Sequence, residues 1–276
     1  MIKDAVVNLP VGNPRNPVVD FAVSVASMFE AHLAGVAFVY DPFVPMIDGA
    51  AIPADLIESQ RIENENAAKA AIGKFEEAAR RSAVSAESGT LEAELVGASD
   101  IFGRIARRFD LSIVAQAEPD KPGSEDMIIE SALFDSGRPC LVVPYIQKAG
   151  LKLDRVMVCW DGSRNSARAA ADAMPFLLRA KVVEVVVVTG EGRKSEELPG
   201  ADIAKHLARH GLNVEVNRIV ATDTDVANTI LSHAADADAD FIVMGGYGHS
   251  RLREFILGGA TSGILGAMTV PTLMAH

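Results

Sequence analysis

Aromatic residues are scarce in this 276-residue chain, at 5%, and there is a single tryptophan. A core so short of large rings must be built from Val, Ile, Leu and Ala. That composition suits the doubly buried strands of a parallel sheet covered by helices. Cysteine is scarcer still. Cys140 and Cys159 each lie in an apolar run, with no metal-ligand spacing and no redox pair. Such thiols are expected to be buried and reduced in a cytoplasmic protein. No apolar run approaches membrane-spanning length, and the opening MIKDAVVNLP lacks the layout of a signal peptide. Basic residues are outnumbered: 26 Lys and Arg stand against 37 Asp and Glu, a formal net charge of −11. A surface of that sign repels phosphate backbones and anionic lipid, which argues against nucleic-acid and membrane partners. The densest basic stretch, RIARR at 104–108, reads as a solvated helix face.

Familiar catalytic signatures are missing too. There is no GxxxxGK[ST] phosphate loop and no Gly-x-Ser-x-Gly elbow, and Arg251 stands where a third Rossmann glycine would follow Gly246 and Gly248. His206 and His210 share a helix face, but KHLARHG offers no third ligand and reads as a solvated helix end stopped by Gly211. The acidic run ADADAD at 235–240 reads as a solvated connector before a strand, and other aspartates nearby as N-caps. No residue stands out as a general base for in-line hydrolysis.

What the chain does have is an internal repeat. Asp4-Ala-Val-Val-Asn-Leu resembles Asp154-Arg-Val-Met-Val-Cys, and each run leads through a turn glycine, Gly12 or Gly162, into an Ala-rich helical stretch, Val18 to Glu30 or Ser166 to Arg179. A second strand follows in each half, Leu33 to Tyr40 and Val182 to Thr189. Asp110-Leu-Ser-Ile-Val-Ala then matches Asp240-Phe-Ile-Val-Met-Gly, and Pro139-Cys-Leu-Val-Val matches Pro271-Thr-Leu-Met-Ala. The later matches are more closely spaced, so the first half carries extra chain after its second strand, within 41–60. Strands alternating with helices imply βαβ units. The expected architecture is therefore α/β: two tandem open parallel-sheet domains, Rossmann-like, with helices on both faces. Their expected bounds are 1–147 and 148–276, meeting near Gln147 to Leu151.

The segment with most chemical content is Met244-Gly-Gly-Tyr-Gly-His-Ser-Arg-Leu-Arg-Glu-Phe-Ile-Leu-Gly-Gly-Ala-Thr-Ser-Gly. It follows a buried strand and leads into a helix expected to start near Gly259. Glycines at a strand's carboxyl end let backbone approach a ligand, and a helix N-terminus presents unpaired N–H groups to phosphate. The same glycines also suit tight turns and helix–sheet packing. The spacing Gly245, two residues, Gly248, nine residues, Gly258 resembles the nucleotide-binding signature of the universal stress protein family. That resemblance covers the whole chain as an order of elements, but only the second half carries the signature. It implies an adenine-nucleotide site formed by Asp161, Gly245, Gly248, Gly258, Gly259, Ala260 and Thr261. Asp161 would contact the adenosine moiety, although it also begins an Asp-Gly turn and can cap the helix from Ser163. Family members usually place Ser or Thr directly after the third glycine, where this chain has Gly259. A hydrogen bond lost to a charged phosphate costs about 1.5–3 kcal/mol, so weaker binding, or a preference for AMP or ADP over ATP, is expected, with Thr261 or Ser262 as substitute hydroxyls.

In the first half, Val11, Ala115, Glu118 and Ile128 stand where the second has Asp161, Gly245, Gly248 and Gly258. The stretch AEPDKPGSED brings Glu118, Asp120, Glu125 and Asp126 to the place of a triphosphate, which is repulsive. The resemblance further implies a regulatory protein, not an enzyme, holding ATP (or AMP or ADP) with Mg²⁺ as a possible companion. Domains would pair through their last strands, chains would assemble as a homodimer, and 41–60 would be a candidate contact surface for an unknown partner. A slow ATPase, or an interaction module without nucleotide, remains the alternative.

Overall fold

A computed structural model describes residues 1–13, 17–42, 53–118, 124–190, 200–221, 225–246 and 259–276. The first half runs β1 (Asp4–Asn8), α1 (Val18–Phe29), β2 (His32–Tyr40), α2 (Ala54–Arg81), β3 (Ala86–Ala93), α3 (Leu95–Ala106), β4 (Leu111–Ala115), α4 (Glu125–Phe134) and β5 (Cys140–Val143). The second runs β6 (Arg155–Cys159), α5 (Arg164–Asp172), α6 (Met174–Leu177), β7 (Val182–Gly190), α7 (Ala201–Arg209), β8 (Val214–Ala221), α8 (Val226–Asp236), β9 (Phe241–Gly245), α9 (Gly259–Ala267) and β10 (Thr272–Ala275).

The strands form one ten-stranded sheet in the order β3-β2-β1-β4-β5-β10-β9-β6-β7-β8. Each half is a parallel, doubly wound set. The halves meet where β5 and β10 pair antiparallel, Thr272 opposite Val142 and Met274 opposite Cys140. The expected pairing through last strands is thus made within the chain, and two sheets become one. Buried positions alternate across the strands. Ala5, Val7, Ile113, Val158 and Val243 belong to the core beneath α1, α2 and α5–α7, while Val6, Val114, Met157 and Ile242 belong to the one beneath α3, α4, α8 and α9. Burial on both sides is why the strands read as unbroken apolar runs.

Hydrogen bonds repeat with the sequence. Asp110 Oδ2 accepts the backbone N–H groups of Lys3 and Asp4 (2.8 and 3.2 Å), and Asp240 Oδ2 accepts those of Asp154 and Arg155 (both 3.0 Å). Asp240 is therefore a strand-edge clasp, and more than part of a solvated connector. One expected element is divided. The helix read over 166–179 breaks between Asp172 and Met174, because Pro175 has no N–H to donate and starts the short α6 instead. Part of the extra chain in the first half enters the long α2; residues 43–52 lie outside the described set.

A buried carboxylate interrupts the apolar β7. Glu184, 3% exposed, bonds His233 Nε2 at 2.7 Å, Arg155 at 3.2 Å and Asn217 at 3.2 Å. Burial alone would raise its pKa, but the His233 and Asn217 hydrogen bonds and the Arg155 charge hold it below its ordinary value of 4.5. A carboxylate depressed in the folded state stabilises the protein above that ordinary value, and this contribution is lost as pH falls through the folded pKa. The stability gap between the natural protein and Glu184→Gln, measured by urea unfolding, should therefore be full above about pH 5 and shrink below about pH 4. A gap independent of pH would contradict the ion-pair account.

Candidate nucleotide site

The site is assembled at the carboxyl ends of β6 and β9, which are neighbours in the sheet. After β6, Trp160 extends the ladder by donating its N–H to the Val186 carbonyl (2.8 Å). The chain then reverses through Gly162 at φ 76°, a left-handed conformation that disfavours any side chain. Asp161 Oδ1 accepts the Ser163 N–H at 2.9 Å, and the Ser163 hydroxyl accepts the Ser166 N–H at 3.1 Å. Ser163 is thus the N-cap of α5, and Asp161 braces the turn before it. Partial burial raises the Asp161 pKa, but hydrogen bonds from the Ser163 N–H and from the Ser163 and Ser166 hydroxyls outweigh this and hold it low. An exposed carboxylate, ionised at neutral pH, stands at the strand end, suited to accept from a ribose hydroxyl or an amine.

After β9 come Gly245 and Gly246. A Cβ on Gly245 would lie 2.6 Å from the Ser166 nitrogen and 2.7 Å from the Asn165 carbonyl carbon. The close approach at this glycine is made by the protein's own α5, and it sets the Asp161 turn beside the end of β9. Asn165, buried, donates from Nδ2 to the Gly246 carbonyl at 2.7 Å, which ties the two strand ends together. Asn165 belongs to no recognisable motif, and its contact is made only by the fold. Gly248 and Gly258 lie outside the described residues, as do His249 and Arg251.

Helix α9 begins at Gly259. Because it follows β9 and returns to the start of the parallel β10, its N-terminus faces the same carboxyl-end crevice. The N–H groups of its first turn have no partner within the helix and carry its positive dipole end. Gly259 is exposed, and among the described residues a Cβ there would meet no atom within 4 Å. Ala260 is partly buried. Thr261, expected to replace the missing hydroxyl, is 3% exposed, whereas Ser262 beside it is partly open. The structure thus brings Asp161, Gly245 and the start of α9 to one end of adjoining elements.

The first half has the same turn and a different crevice. Gly12, at φ 83°, matches Gly162. Asn13, just after it, donates from Nδ2 to Glu118 Oε1 at 2.5 Å, joining the loops after β1 and β4. The Tyr40 and Ser124 hydroxyls, 84 positions apart, meet at 2.5 Å and join the end of β2 to the start of α4. Glu125 and Asp126 occupy the first turn of α4, so acidic side chains take its dipole end, whereas the first turn of α9 holds none. Asp120 lies outside the described residues.

Cys140 and Cys159 are both pushed up to about 12 by burial, so neither is a thiolate at neutral pH. The His206 and His210 rings meet edge to face at 4.9 Å, and among the described residues no group of three metal-ligating side chains forms.

Two doubly wound α/β units, joined edge to edge, define a tandem Rossmann-like protein. It is the second half of the chain that matches a known family, the universal stress protein family. Residues 152–276 match the model of that family. A universal stress protein of Synechocystis sp. is 27% identical over 138 residues, 49% of this chain and 46% of the relative, so the match spans about half of each. The fold of the whole chain is that of a universal stress protein from Archaeoglobus fulgidus (TM-score 0.70, 18% identity, covering 98% of this chain and 95% of the other). A Pseudomonas aeruginosa protein of the same family name shares it as well (TM-score 0.62, 14% identity, 99% and 93%). No described helix is long and apolar enough to cross a membrane.

Proposed function

We propose that the C-terminal domain, 148–276, binds one adenine nucleotide, ATP or its AMP and ADP relatives, as a regulatory ligand in a cytoplasmic stress response, and that the N-terminal domain, 1–147, binds none. The observation that carries this reading is the asymmetry of the two crevices. One presents a helix N-terminus at Gly259 with no acidic residue in its first turn, and an ionised Asp161; the other is bridged by Asn13 and Glu118. The glycine spacing at 245, 248 and 258 supports the same assignment. Asp161 would hold the ribose or adenine, and the N–H groups of Gly259, Ala260 and Thr261 the phosphates. Mg²⁺ would arrive with the triphosphate. Since β5 and β10 already pair with each other, a homodimer of the chain would use another surface.

Asp161→Asn tests the adenosine contact without losing the turn, because the amide oxygen can still accept the Ser163 N–H. Losing the charged acceptor should weaken ATP binding roughly tenfold, measured by calorimetric titration. An unchanged Kd would remove Asp161 from the site.

A further inference from the structure

The strands of the first half have a second role in the site of the other. Gln116, 1% exposed, is the first residue after β4, and its N–H continues the ladder to the Val143 carbonyl at 2.9 Å. Its side chain crosses the seam between the halves. Nε2 donates to the Leu265 carbonyl in α9 at 2.8 Å, and Oε1 accepts the Tyr145 N–H at 3.2 Å. A backbone N–H can only donate and a carbonyl can only accept, so this network fixes which way the amide points.

Leu265 is in the last turn of α9, where carbonyls have no partner further along the helix. Gln116 therefore caps, from the opposite half, the helix whose N-terminus faces the proposed phosphate position. At nine residues α9 is only about 14 Å long, too short to hold its place unaided, so tertiary contacts set its direction. One is the close approach to α8, where a Cβ on Gly263 would lie 2.6 Å from the Ala227 Cβ. Gln116 is the second. A reciprocal contact holds the loop's other end: a Cβ on Gly246 would lie 2.6 Å from the Leu133 side chain on α4. The first half thus grips the glycine loop segment at its start and at the far end of the helix that follows it.

We infer that Gln116 is a positioning residue for nucleotide binding in the other half, acting by aiming the α9 N–H groups at the phosphates. This rests on the proposed nucleotide reading and extends it: the half without a site is a structural part of the site. A purely structural role would weaken every ligand alike. A role in aiming α9 should affect only ligands with phosphates.

The test is calorimetric titration of the full chain and its Gln116→Met variant with ATP and, separately, with adenosine. Methionine keeps the bulk and removes the donor. ATP binding should weaken roughly three- to tenfold, the worth of one hydrogen bond, with adenosine binding unchanged. An equal loss for both ligands, or none for either, overturns the positioning role while leaving the site in place. Absence of ATP binding in the unsubstituted chain overturns the nucleotide reading itself, and this role with it.

Discussion

Gly259→Asp is expected to raise the Kd for ATP by about two orders of magnitude while leaving the fold intact. Two like charges about 4 Å apart at a partly screened site repel by a few kcal/mol, which sets that scale. Stability should hold for two reasons. Among the described residues a Cβ at this position meets no atom within 4 Å, and a carboxylate in the first turn of a helix interacts favourably with its dipole, by about 0.3–1 kcal/mol. The variant should therefore melt no lower than the natural protein, yet fail to take up nucleotide. Unaltered ATP affinity would mean that the phosphates do not face α9. Gly245 makes a useful contrast. Any side chain there collides with the backbone of α5, so its loss of binding would say nothing about ligand contact.

Phe176→Ala should be the most damaging core substitution, costing about 3–5 kcal/mol. Phe176 is fully buried in α6 between two rings: Phe29 of α1, edge to face at 4.9 Å, and Phe241 of β9, stacked at 4.9 Å. Arg179 completes the cluster, its guanidinium 4.4 Å above the Phe29 ring. In a chain with few aromatics, three of them join the two halves. The link is reinforced where the Leu151 N–H bonds the Ser24 hydroxyl at 2.8 Å, pinning the connecting segment to α1. Urea unfolding of the variant should show one transition moved as a whole, because the core beneath α1 and α5 is shared. Loss of under about 1 kcal/mol, or a split into two transitions with only one displaced, would show that the halves stand independently.

The strands and their order were legible because burial on both faces leaves runs such as LSIVA and FIVMG almost purely apolar. The repeat was legible because each half needs the same aspartate, turn glycine and proline. What could not be read was every contact made across the fold. Nothing local in NLPVGNP or AEPD announces that Asn13 and Glu118, 105 residues apart, will latch one crevice. Gln116 and Leu265 are separated by 149 positions, and their bond exists only because β5 and β10 pair. Glu184 did leave a trace, a lone carboxylate within VVEVVVV, but its partners on three other elements were invisible. Gly245 was legible as a residue that must be glycine; the sequence did not distinguish a ligand from α5 as the reason.

The central claim is that one crevice of two receives a nucleotide, and its most direct test is the stoichiometry of ATP binding. Calorimetric titration of the full chain should give one site per chain, and the same site should disappear in Gly259→Asp. Two sites per chain, or no heat of binding up to millimolar ATP, would contradict the account.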